Sequence, residues 1–415
     1  MDAVVSFDSA SAPRRVIVRL PVSKSIINRL AIIYALSGRV DELECYAASS
    51  GDADVMLKAL SRRSEVVDIG DSGTAMRFLM SYFSYMGRPV TLAGSRRLCQ
   101  RPVADLADAL TTLEAEIEFP CDDGYPPVRI VKGLRRCGGE VDFGKGIPSS
   151  QYVSSLMLIA PMLDEGMRII LPDITPSYPY IDMTARLMRR CGADVSSDGR
   201  SVSVLHSSYC LPESPKVEAD WSAASFWYEF AAMHRDVIIV LPDLAEQSLQ
   251  GDAAVMSLFG ALGVETRWID GQCVLHASCV AANHLDLCLE DVPDLVLPFV
   301  IACLSTATTF EISGIKHLRI KESDRIASLI DGASQLGFVL KWSGQSGTLS
   351  WDGTQCKRPR IPVVDARGDH RVAMAFALAS STFGPLKIIA MDSVNKSYPG
   401  FMSDINIAGF STGIL

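Results

Sequence analysis

The chain repeats itself, and that narrows the folds open to it more than any other feature. Six times a small or polar cluster opens an amphipathic stretch of about three turns, and a short apolar strand follows. The openings are Ser23-Lys24-Ser25, Asp71-Ser72-Gly73-Thr74, Ser149-Ser150-Gln151, Asp220-Trp221-Ser222, Val292-Pro293-Asp294 and Gly368-Asp369-His370. The pattern predicts helices over 26–37, 75–85, 152–163, 223–233, 295–304 and 371–382, and strands over 167–171, 237–241, 309–312 and 386–390. The period is steady: 77 residues from Gly73 to Ser150, then 71 to Trp221, 73 to Asp294 and 75 to Asp369. Each unit also carries a second helix whose tail holds a glycine (Gly192, Gly263, Gly337) where a helix end favours positive φ. The first interval, Lys24 to Gly73, is only 49 residues, so unit one lacks part of its second half.

A unit of strand, helix, strand, helix and two strands belongs to the α/β class with mixed sheets. The 415 residues exceed what one core serves, so two domains of three units each are expected. Pro212 and Pro215 interrupt the pattern midway. They divide the chain into 21–217 and a discontinuous domain of 1–20 with 218–415.

Composition removes several classes of function. An apolar content of 48% excludes a disordered chain. With 39 Lys+Arg against 48 Asp+Glu, the net charge is −9. A general nucleic-acid binder is therefore excluded, and any anionic ligand must meet a local cluster of cations. The apolar runs are too short for a membrane span, and Met1-Asp2-Ala3 does not open a secretory signal. Eleven scattered cysteines without a CxxC pair read as thiols of a reducing compartment, the cytoplasm. No Walker loop, GxGxxG, HExxH or GxSxG is present, and no metal or organic cofactor is called for.

Three signals point to chemistry. Polar clusters at helix starts suit an anion, because a helix N-terminus offers unpaired N–H groups and partial positive charge; each is also an ordinary cap. Basic residues recur beside them: Lys24, Arg29, Arg77, Arg101, Lys321, Arg325, Arg371 and Lys396. In Lys321-Glu322-Ser323-Asp324-Arg325, a helix would set the two cations one turn apart. Asp294 lies between Pro293 and an apolar run. It is either a helix cap or a carboxyl with raised proton affinity, and Glu322 poses a similar choice between base and ion pair.

Together these motifs resemble the enolpyruvyl transferase family over residues 15 to 405, the shikimate 3-phosphate branch most closely. Lys321–Arg325, Gly368-Asp369-His370-Arg371 and Gly73-Thr74-Ala75-Met76-Arg77 are the most specific pieces, supported by Ser23-Lys24-Ser25 with Asn28-Arg29, Arg101-Pro102 and Ser149-Ser150-Gln151. The resemblance implies two inside-out α/β barrel-like (α/β prism) domains of three units each with a cleft between. It implies transfer of the enolpyruvyl group of phosphoenolpyruvate to the 5-hydroxyl of shikimate 3-phosphate, by a monomer without cofactor. It assigns shikimate 3-phosphate to Lys24, Ser25, Arg29, Ser149, Ser150, Ser177, Tyr180, Asp294, His317 and Lys321. Phosphoenolpyruvate goes to Lys24, Asp71, Gly73, Arg101, Gln151, Arg325, Arg371 and Lys396. Asp294, Glu322, Lys24 and Lys396 are the catalytic candidates. Departures from the family pattern are Val22 for Gly, Asp71 for Asn, Phe78 for Pro, Tyr178 for Lys and His317 for Asn. The alternatives are the sister branch acting on UDP-N-acetylglucosamine and a binding relative without turnover.

Overall fold

The computed structural model describes residues 1–61, 64–144, 149–278 and 280–415. Six long helices lie where the repeat begins each time: Lys24–Leu36, Gly73–Met86, Ser150–Ile159, Trp221–Met233, Val296–Thr306 and His370–Phe383. They are apolar on nearly every face, which is the signature of helices enclosed on all sides. In Trp221–Met233, for example, only Ser222 and Met233 escape full burial. Local chemistry starts them. Ser72, Ser149, Asp220 and Asp369 each accept a backbone N–H of the first turn.

The chain divides into two compact units, 24–217 and a discontinuous unit of 1–23 with 218–415. Residues 21–23, assigned to the other domain by sequence, group with the discontinuous unit for a local reason. Val22 bridges Ala219, Ser23 N–H donates to the Glu218 carbonyl and Asp220 N–H to that of Pro21. Within each unit three of the long helices pack on one another, and four-stranded sheets lie around them.

Every sheet follows one plan. Gly139–Asp142 runs parallel to Met167–Ile170, with the buried helix Ser150–Ile159 crossing between them. Met167–Ile170 is antiparallel to Ser201–Val204, which pairs in turn with Val195–Ser197. The register aligns Val141, Ile169 and Val202, all buried, on the inner face. Alternate residues face out, as in any sheet covered on one side.

The first twenty residues complete two sheets of the discontinuous unit. Ala3–Phe7 inserts between Leu386–Ile389 and Phe410–Ile414, antiparallel to both. Arg15–Ile17 lies parallel to Ile238–Leu241 and seats Val16 beside Ile239. Among the described residues this unit therefore has three sheets, and 24–217 has two.

At unit one, which the 49-residue interval marks as lacking part of its second half, the described residues hold no sheet. After Lys24–Leu36 come the 3₁₀ segment Val40–Ser49 and the helix Gly51–Ser61. Their sequence has no two-residue alternation. The second starts with Asp52 and Asp54, ends near Lys58 and buries Ala53, Met56, Leu57 and Ala59 on one side, a helical pattern. No helix among the described residues is long and apolar enough to cross a membrane.

Candidate active site

In the unit 24–217 the candidate residues sit at helix starts. Arg29, on the second turn of Lys24–Leu36, is 2% exposed. Its Nε donates to Thr184 Oγ1 at 2.6 Å, Nη1 to the Ser25 carbonyl at 2.8 Å and Nη2 to the Tyr180 carbonyl at 3.2 Å. The guanidinium also lies over the rings of Phe78 and Tyr180. All these partners are neutral. Burial lowers the Arg29 pKa to about 10, still charged at neutral pH.

Arg101 is also buried, and its Nη1 has no hydrogen-bond partner among the described residues. It rests against Gly73: a β-carbon there would lie 2.6 Å from Arg101 Nη2 and 2.7 Å from Cζ. Arg77 braces both sides of this contact, donating to the Gly73 carbonyl at 3.2 Å and the Pro102 carbonyl at 2.8 Å. Tyr152 O–H donates to the same Pro102 carbonyl at 2.6 Å. Gln151 Nε2 reaches Thr74 Oγ1 at 3.0 Å, which joins the starts of Gly73–Met86 and Ser150–Ile159.

The other candidates of this unit are held by their own loops. Ser149 caps Ser150–Ile159, and Ser150 is buried on its first turn. Lys24 pairs with Asp52 at 3.2 Å, a partner supplied by the rebuilt first repeat. Asp71 accepts the Ser95 hydroxyl. Ser177 precedes Tyr178–Arg190 at φ 59°, a left-handed backbone that costs a side-chain-bearing residue about 1 kcal/mol or more.

The discontinuous unit brings a denser cluster together. Arg325, 1% exposed, binds three carboxylates: Asp294 Oδ1, Glu322 Oε2 and Asp369 Oδ2, each at 2.8 Å. Arg371 Nη2 holds the other oxygen of Asp294 at 2.6 Å. Ser323 O–H donates to Asp369 at 3.1 Å. Lys396 Nζ donates to the carbonyl of Gly368, next to Asp369, at 2.8 Å.

These contacts correct two expectations. Asp294 is neither a cap nor a carboxyl with raised proton affinity. Burial alone would raise its pKa, but Arg371, Arg325 and Lys321 outweigh that and hold it well below the usual carboxylate range. Lys321 and Arg325 do not share a helix either. Asp324 caps a helix that begins only at Arg325, and Lys321 ends the preceding 3₁₀ turn Lys316–Ile320. Burial chiefly, with Lys321 and Arg325 adding, lowers His317 to about pKa 4, so it is neutral at pH 7.

Sequence reasoning left three members out of the candidate set. Asp369 looks like a plain cap, and only the fold shows that its second oxygen serves Arg325. Asp52 looks like an ordinary first-turn acid. Arg77 stands inside a quoted motif, but its two carbonyl partners are fixed by tertiary structure.

Buried cations at helix starts beside sheet-wrapped repeats define an anion-handling α/β protein of internally repeated design. The comparisons narrow this. Residues 14–405 match the family model described as EPSP synthase (3-phosphoshikimate 1-carboxyvinyltransferase). A Bacteroides fragilis protein named 3-phosphoshikimate 1-carboxyvinyltransferase is 39% identical over 404 residues, 97% of each chain. One of the same name from Neisseria gonorrhoeae is 30% identical, covering 92% of this chain and 94% of its own. An EPSP synthase structure from Acinetobacter baumannii aligns over 100% of both chains with a TM-score of 0.72 at 20% identity, a likeness of fold. The chain belongs to the EPSP synthase family.

Proposed function

We propose that the protein transfers the enolpyruvyl group of phosphoenolpyruvate to the 5-hydroxyl of shikimate 3-phosphate and releases inorganic phosphate. The observation that carries this reading is the provision for anions: Arg29 and Arg101 are buried with no carboxylate paired to either among the described residues. A buried cation without a counter-charge is costly, and an anionic substrate supplies one.

In this reading Ser25, Arg29, Ser149, Ser150, Ser177, Tyr180, His317 and Lys321 hold shikimate 3-phosphate. Lys24, Asp71, Gly73, Arg101, Gln151, Arg325, Arg371 and Lys396 serve phosphoenolpyruvate. Bidentate guanidinium forks suit its carboxylate and phosphate. A proton goes to the methylene carbon from Lys396 or Glu322, leaving cationic character on the adjacent carbon. The 5-hydroxyl oxygen attacks that carbon while its proton passes to Asp294. The tetrahedral adduct then expels phosphate, and the methyl group returns its proton.

Asp294 at rest is a weak base because two arginines hold it. An anion arriving on Arg325 and Arg371 loosens that hold, so the substrate itself makes Asp294 basic enough for the step. The reading takes the protein as a cytoplasmic monomer that needs no metal.

The test is phosphate release with both substrates, with UDP-N-acetylglucosamine as the competing acceptor. Asp294→Asn is expected to lower kcat by a factor of about 10²–10⁴. Release that occurs only with UDP-N-acetylglucosamine assigns the sister reaction instead.

A further inference from the structure

One carboxyl beside this cluster has no part in the steps above. Asp252 lies in the turn Gly251–Ala254 and is 3% exposed. Its Oδ2 accepts the hydroxyl of Ser222, the second residue of Trp221–Met233. Its Oδ1 is buried with no hydrogen-bond partner among the described residues.

The charged groups that act on Asp252 come from three directions: Asp294 on the turn Pro293–Leu295, Arg371 on His370–Phe383, and Asp220, which caps Trp221–Met233. Val255–Gly260, which follows it, carries no ionisable side chain. Glu218 is occupied by the Ser248 hydroxyl, the Leu249 N–H and the Gln250 amide. Arg371 therefore acts electrostatically on two carboxyl groups, and its guanidinium bonds to one of them, Asp294.

The consequence for Asp252 is chemical. A buried carboxylate with an open acceptor loses hydration without recompense, and a neighbouring carboxylate adds repulsion. Burial and Asp294 raise its pKa, Arg371 and Ser222 offset them only in part, and the balance lies at about 7. Two acids with environments that push them apart are a pattern found where protons matter.

We propose that Asp252 is a positioning residue for phosphoenolpyruvate, holding a proton while the anion is bound so that Arg371 faces the substrate and not a second carboxylate. The proposal rests on the enolpyruvyl-transfer reading. An anion at Arg371 weakens the larger of the two influences that favour ionised Asp252, so binding and proton uptake are linked. The sign follows. Below the titration of Asp252 the carboxyl is neutral and substrate binds well; above it, each binding event must take up a proton and affinity falls.

The experiment is the pH dependence of KM for phosphoenolpyruvate in the wild type, Asp252→Asn and Ser222→Ala. The ratio of each variant to the wild type removes the substrate's own ionisation. In the wild type, KM is expected to climb above about pH 7, approaching tenfold per pH unit, relative to Asp252→Asn, whose amide cannot ionise. Ser222→Ala removes the donor that favours the ionised form and is expected to shift the rise alkaline. A variant KM that keeps the wild-type climb, or is raised equally at every pH, overturns the proposal. If Asp252→Asn does not fold, an unmoved rise in Ser222→Ala overturns it instead.

Calorimetry with inorganic phosphate, in two buffers of different ionisation heat, keeps the proposal separate from the reaction. Phosphate binding with wild-type proton uptake absent in the Asn variant supports Asp252 even if no turnover is found. Equal uptake in both proteins counts against it.

Discussion

Gly73 shows how little space the buried guanidinium of Arg101 leaves. Any β-carbon there meets the guanidinium of Arg101, which Arg77 and Tyr152 back up through Gly73 and Pro102. Gly73→Ala must therefore push Arg101 aside and leave the helix intact. Overpacking of this kind costs about 1–3 kcal/mol, and in the proposed reading it falls on the arginine assigned to phosphoenolpyruvate, not on the core. KM for phosphoenolpyruvate is expected to rise by about tenfold or more, with the thermal midpoint nearly unchanged; steady-state kinetics beside a melting curve separate the two. At this scale the sequence was legible for residue identity and silent on pairing. Arg325 and Asp294 are visible as a basic residue and an acid, but their bond spans 31 positions and that of Arg371 spans 77. No periodicity encodes contacts between separate repeats.

At the scale of elements, local signals worked where burial was uniform. A helix surrounded by other elements is apolar on every face and begins at a side-chain cap, so its start is legible from a dozen residues. Gly73–Met86 and His370–Phe383 follow from that pattern. Arg15–Ile17 does not, because three residues are too few to show alternation and its partner lies more than 220 positions away. The rebuilt first repeat was visible as a shortfall in length only. Its helix Gly51–Ser61 packs on Lys24–Leu36, buries Met56 fully and supplies Asp52 to Lys24. Met56→Ala is expected to destabilise the protein by about 2–5 kcal/mol, read as a lower denaturation midpoint. A loss below about 0.5 kcal/mol would make the segment a loose attachment and not part of the core.

For the whole molecule, one buried acid ties stability to pH. Glu229, in Trp221–Met233, is fully buried, and neither carboxylate oxygen has a hydrogen-bond partner among the described residues. Burial pushes its pKa well above the ordinary value. The folded state therefore binds this proton more tightly than the unfolded state does. Its contribution is fully present below the unfolded pKa of about 4.3 and is lost as pH rises from there through the folded pKa. Glu229→Gln removes that loss. The variant's thermal midpoint is expected to gain on the wild type steadily from about pH 5 to pH 8, and a constant difference would refute the assignment.

The strand Ala3–Phe7 is made about 380 residues before its neighbours, Leu386–Ile389 and Phe410–Ile414. On the ribosome the two units consequently mature at different times. Residues 24–217 are contiguous, and among the described residues their sheets are built from their own strands, so they can fold while synthesis continues. The other unit must keep an unpaired strand waiting until those partners emerge. That interval is when this chain is most open to aggregation and most in need of a chaperone.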